Sequence, residues 1–180
     1  MLAKHFHNVG YAHHAQGNVQ AAVGAYAWAL DFEPGRFITL KNLGDAYIKS
    51  RQYQPAIECL EAAVRQQPAD ESLHFTLGNL YLFVGRIRDA EIAYRNAVRL
   101  KPDHSEAFRR LAKAIFAQAL AHLKEEDPDL ARRAYERGME IAGVAEAERL
   151  GVFRELKEMI NDDAQAAHVR AILKTYGREP

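Results

Sequence analysis

Apolar side chains recur along this chain at steps of three and four, and the whole arrangement then returns every 34 residues. With units counted from Ala3, Phe37 and Glu71, a first apolar stripe falls on positions 4, 7 and 11. It is Phe6, Val9 and His13, then Leu40, Leu43 and Tyr47, then His74, Leu77 and Tyr81. Such steps place side chains on one face of a helix. A second stripe carries small residues at Ala22 and Ala29, Ala56 and Ala63, Ala90 and Ala97, each pair flanking a larger plug, Tyr26, Leu60 or Tyr94. Each unit therefore predicts two antiparallel helices. Turns are expected at Gln16-Gly17-Asn18, Ser50-Arg51-Gln52 and Val84-Gly85-Arg86, where Gly17 and Gly85 suit a left-handed residue that closes a helix. Pro34, Pro68 and Pro102 stop each second helix, because proline has no amide hydrogen and restricts the residue before it.

Gly10, Gly44 and Gly78 sit inside the first stripe. A glycine there costs about 1 kcal/mol of helix propensity against alanine, so its recurrence predicts close approach of the second helix. An isolated pair of this kind cannot bury its apolar face; stacked neighbours bury it together.

The period, the glycine and alanine places, the large plugs and the closing prolines agree in register across residues 3–104, and in this the chain resembles the tetratricopeptide repeat (TPR) family. The resemblance implies an all-α fold, an α-α superhelix (TPR solenoid) of antiparallel helix pairs with a C-terminal capping helical hairpin. It also implies one domain over 1–180, with repeats at 3–36, 37–70 and 71–104. A fourth repeat, 105–143, starts with Phe108, Leu111, Ala112 and Ile115, and reaches Ala131, Tyr135 and Gly138 only if seven residues are inserted. Seven residues make about two helical turns, so an over-long first helix to about residue 125 preserves the return. Asp127-Pro128-Asp129 then supplies a turn and a cap. Residues 144–177 read as a degenerate fifth repeat or capping helices. Their stripes are Leu150, Phe153, Leu156 and Ile160, then Val169, Ile172, Leu173 and Tyr176. The capping reading is preferred because terminal units turn one face to water.

In this family the first helices line a concave groove that usually holds the ligand. If positions 4, 7, 8 and 11 face inward, positions 2, 5, 9 and 12 form the neighbouring stripe. The partner-binding candidates are Lys4, His7, Tyr11 and His14; Lys41, Asn42, Asp45, Ile48 and Lys49; Phe75, Asn79 and Leu82; and Arg109, Lys113 and Phe116. Five bases (Lys4, Lys41, Lys49, Arg109, Lys113) oppose two acids (Asp45, Glu106), a balance of +3 by five minus two. An acidic segment with apolar anchors suits such a face, with Asn42 and Asn79 bonding its backbone. The family's two-carboxylate clamp for heat-shock chaperone tails is not matched. Taken from the first unit, Asn42 fits while His7, Tyr11, Ser72 and Thr76 do not; taken from the second, Lys41 and Arg110 fit while Asp45, Thr76 and Glu106 do not.

The remaining chemistry changes little. Lysine plus arginine and aspartate plus glutamate number 24 each, so no net field draws the chain to nucleic acid or an anionic membrane. No apolar run makes a secretory signal or a membrane span, which leaves a cytoplasmic expectation. His7 and His14 lie a heptad apart, about 10 Å of rise, too far to share a metal. Cys59, the single cysteine, has no histidine–acid pair placed to activate it. Trp28 stands where later units have Ala62 and Asn96, which makes it a candidate for self-association into a homo-dimer. With no nucleophile–base set, cofactor loop or metal cluster, the expectation is a non-catalytic protein–protein interaction scaffold that binds a peptide segment or partner protein. The alternative is a regulatory or substrate-recruiting subunit of a larger enzyme or secretion/assembly complex.

Overall fold

The computed structural model describes residues 1–125, 127–149, 151, 154 and 163–175. Nine helices form among them: α1 (Leu2–Ala15), α2 (Val19–Phe32), α3 (Phe37–Lys49), α4 (Tyr53–Gln66), α5 (Glu71–Phe83), α6 (Ile87–Leu100), α7 (Ser105–Lys124), α8 (Pro128–Arg149) and α9 (Asp163–Thr175). No strand occurs among the described residues. Helices α2, α4 and α6 each end two residues before a proline, as the restriction on the preceding residue requires. Gly17 and Gly85 take left-handed φ values of 79° and 81°, and Arg51 fills the equivalent turn at φ 60°.

The chain packs as two compact units, Met1–Val84 and Gly85–Pro180. In the first, Gly10 of α1 lies against the Tyr26 ring and Gly44 of α3 against Leu60. A Cβ at Gly10 would meet Tyr26 Cδ1 at 2.6 Å, and one at Gly44 would meet Leu60 Cδ2 at 2.7 Å. The recurrent glycine therefore makes room for the large plug of the second helix. Leu43 and Ala46 of α3 pack with Ala22 and Tyr26 of α2, which joins the first helix pair to the second.

In the second unit this contact is turned around. Gly138 of α8 is the small residue, and Phe116 of α7 fills it at 2.6 Å from a notional Cβ. Phe116 also tilts against the Tyr135 ring, 5.4 Å away. Ala112, Ala119 and Leu123 of α7, Ala131, Ala134 and Met139 of α8, and Ile172 and Leu173 of α9 complete the cluster. Asp127 Oδ1 caps α8 by accepting the Leu130 amide at 3.0 Å. Helix α8 breaks at Gly143, where φ is 70° and ψ 169°. Helix α9 thus covers the α7–α8 pair through Ile172 and Leu173, while the predicted stripe of Leu150, Phe153, Leu156 and Ile160, and Tyr176, lie outside the described residues.

Candidate partner-binding face

The first unit brings α1, α3 and α5 together through two polar ties. His7 Nδ1 is hydrogen-bonded to Thr39 Oγ1 at 3.0 Å, which links α1 to α3. Lys41 Nζ lies 3.5 Å from Asp70 Oδ2 and donates to Ser72 Oγ at 3.4 Å, which links α3 to the start of α5. Asp70 Oδ1 also accepts from the Leu73 amide at 3.2 Å and from Ser72 Oγ at 2.7 Å. Burial alone would raise the Asp70 pKa. The Ser72 and Leu73 hydrogen bonds and Lys41 outweigh it and hold the carboxyl below its ordinary value.

These ties alter the expected groove. His7 is buried and its ring stands 5.6 Å from Tyr26, so it is part of the packing under the face and not an open contact on it. Burial, with the Arg36 charge second, lowers its pKa and keeps the ring neutral. Lys41 is half-buried and spends its charge on Asp70, a residue absent from the expected charge balance. Within the first unit, Lys4, Lys41 and Lys49 are then set against Asp45 and Asp70, a balance of +1 by three minus two.

The other candidates of this unit remain reachable. Tyr11 is 63% exposed, and Lys4 and Lys49 are exposed. His14, Asn42, Asp45, Ile48, Phe75, Asn79 and Leu82 are half-buried. Asp45 has its pKa raised by burial, opposed in turn by Lys41, His14 and Lys49. His14 has its pKa lowered by burial and then by Lys49, against the pull of Asp45. One acid is thus surrounded by three bases in the middle of the face.

In the second unit, Arg109 and Lys113 are exposed on α7. Arg109 pairs with Glu106 at 2.8 Å, and Arg110 reaches the other oxygen of that carboxylate at 2.9 Å. Arg109 borders a cleft of about 390 Å³ lined also by Pro102, Ser105, Phe108 and Ile141. Phe116 corrects the sequence expectation. It is 2% exposed, wedged against Gly138, and offers nothing to a partner. The seven-residue insertion lengthens α7, and the small residue opposite its ring has moved to the second helix; that glycine at Gly138 was the signal available in the sequence.

Cys59 is half-buried, and burial, with Glu58 second, pushes its thiol up to about 11. No group of three or more metal-ligating side chains stands together among the described residues. No described helix is long and apolar enough to cross a membrane.

Successive antiparallel helix pairs with a glycine-to-plug contact define a helical-repeat protein. Residues 44–85 match a family model described as TPR repeat, and residues 75–118 match one described as tetratricopeptide repeat. The chain is a TPR-domain protein, and its fold class is the all-α superhelix of interaction scaffolds. It is 29% identical over 76 residues to the Protein STIP1 homolog of Dictyostelium discoideum, covering 42% of this chain and 14% of that protein. It is 30% identical over 100 residues to the human protein O-mannosyl-transferase TMTC2, covering 54% and 12%. It is 28% identical over 88 residues to the anaphase-promoting complex subunit CDC16 of Saccharomyces cerevisiae, covering 47% and 10%. The chain therefore spans less than a sixth of the length of these relatives. Among solved structures, a crystal structure of MamA protein shares the fold with a TM-score of 0.66 at 19% identity, covering 98% of this chain and 94% of that one. The first TPR of Spaghetti (RPAP3), bound to the HSP90 peptide SRMEEVD, gives 0.58 at 22% identity, covering 67% and 94%.

Proposed function

We propose that this protein is a non-catalytic interaction scaffold, a single TPR domain whose α1, α3 and α5 face binds a peptide segment of a partner protein. The observation that carries this reading is the row of partly exposed apolar side chains, Tyr11, Ile48, Phe75 and Leu82, on the stripe that also bears Asn42 and Asn79. A purely solvated face has no use for such a row, whereas a bound segment buries it. Lys49 favours acidic residues beside the apolar anchors. The known structure of a TPR domain with a bound HSP90 peptide supports peptide capture as a use of this fold. The gripping chemistry here is different, because Asp45 and Tyr11 stand where that kind of clamp needs neutral asparagine amides. Partner choice then rests on apolar anchors more than on a terminal carboxylate.

The test is capture from native lysate by the full chain, compared with Ile48→Ser combined with Lys49→Glu. Loss of the captured protein at unchanged helicity is expected; capture that survives both changes would sink the assignment. Matches to segments of a transferase and of an anaphase-promoting complex subunit give a second reading, a recruiting domain within a larger enzyme assembly. It requires that the captured partner be, or bring with it, a catalytic subunit.

A further inference from the structure

The first helix pair carries a patch of three stacked aromatic rings. Phe6 near the start of α1 stacks on two rings near the end of α2: Phe32, with centroids 5.8 Å apart and planes at 3°, and Trp28, at 6.1 Å and 27°. Trp28 is 58% and Phe32 51% exposed, and Leu2, one helical turn before Phe6 on α1, is also exposed. The places of Trp28 and Phe32 in the repeat are taken by Ala62 and Gln66 in the second pair and by Asn96 and Leu100 in the third. Leu40, the second pair's counterpart of Phe6, is buried, while Phe6 itself remains partly open. Stacked rings held this far into water mark a contact surface.

The charges beside the patch indicate what covers it. Lys4 and His5 flank Phe6 on α1, which has no acidic residue in its first turn. Asp31 and Glu33 flank Phe32 at the end of α2, which has no basic residue in its last turn. Glu33 is already paired with Arg36 at 2.9 Å. The patch thus has a basic edge and an acidic edge. A two-fold axis through such a patch sets the basic edge of one molecule against the acidic edge of the other, twice, while the rings meet in the centre. We infer that the Phe6–Trp28–Phe32 surface is a self-complementary contact by which two copies of this chain pair, with Lys4 of each facing Asp31 of the other. This surface is separate from the α3 and α5 part of the partner-binding face, so a dimer keeps that part open.

The experiment is sedimentation equilibrium of the full chain over a wide concentration range, with the emission of Trp28, the only tryptophan, read in parallel. A monomer–dimer equilibrium with a blue shift on association is expected. Trp28→Ser removes a central aromatic twice per dimer and should weaken pairing about 100-fold or more. Lys4→Glu and Asp31→Lys should each weaken it about 10-fold, and the double reversal should restore it, because each new charge again meets its opposite. A parent that stays monomeric throughout, or a dimer indifferent to the single reversals, overturns the inference. The two charge variants lie on the surface and keep the test open if Trp28→Ser fails to fold.

Discussion

The α-carbon of Gly10 lies directly under the ring of Tyr26, so close that a single methyl group there would stand 2.6 Å from Cδ1 and 2.7 Å from Cε1. The helix gives up propensity at Gly10 to gain this contact. Gly10→Ala should therefore destabilise the protein by about 1–3 kcal/mol through overpacking, although alanine is the better helix former. Gly24 is the internal control. It is an exposed α2 residue with nothing within 4 Å of a notional Cβ. Gly24→Ala should stabilise by about 0.5–1 kcal/mol. Urea unfolding of the two variants checks the opposite signs.

The repeat logic made much of this legible in advance. The helix ends before Pro34, Pro68 and Pro102, the left-handed Gly17 and Gly85, the over-long α7 and the Asp127 cap all follow from local chemistry, which a sequence displays. What it does not display is pairing between residues far apart in the chain. Lys41 reads as a free base until Asp70 is seen beside it. His7 reads as an open contact until Thr39, a residue on no predicted stripe, is found 3.0 Å away. Arg51 holds a left-handed turn although its side chain gives no hint of it, because the turn geometry of the repeat is imposed by the helices on either side. Phe116 misled because the insertion changed which helix supplies the small residue.

The Phe116 contact carries its own prediction. Phe116→Ala removes a buried ring and should cost about 3–5 kcal/mol of stability. Gly138→Ala should also destabilise, by steric conflict with the same ring. Thermal unfolding measures both. Partner affinity, measured on the folded fraction of Phe116→Ala, should change little, since the ring does not reach the surface.

The burial of His7, with the Arg36 charge second, makes stability depend on pH with a definite sign. His7 has a folded pKa below its ordinary value of 6.5, so the unfolded chain binds the proton first. Stability is full above about that pH and falls as the solution is acidified, until the folded His7 also protonates. His14 acts in the same direction. Unfolding measured at pH values bracketing 6.5 should show the parent losing stability on the acid side, with a shallower slope in His7→Gln. A steeper slope in the variant contradicts this origin.

Asp70 acts in a lower window and has two separable roles. Its folded pKa is below the ordinary 3.8, so its contribution is present above that value and is lost as pH falls through the folded pKa. Asp70→Ala removes both the cap on α5 and the partner of Lys41, and should cost about 1–2 kcal/mol. Asp70→Asn keeps a capping oxygen and should cost less than about 1 kcal/mol, the worth of a half-exposed ion pair. Because it also releases the Lys41 charge onto the face, Asp70→Asn should bind acidic peptides more tightly than the parent. Denaturant unfolding and peptide titration of the same two variants check both halves.

The proposed role of the α1, α3 and α5 face is to hold a peptide through apolar anchors. Its most direct measurement is the affinity of peptides selected by display on the full chain, determined for the parent and for Tyr11→Ser with Ile48→Ser and Lys49→Glu at matched helicity. The selected peptides should carry apolar residues beside acidic ones, and the triple variant should bind them at least about 10-fold more weakly. Unchanged affinity in a fully folded triple variant, or binding lost only on Trp28→Ser, would contradict the account.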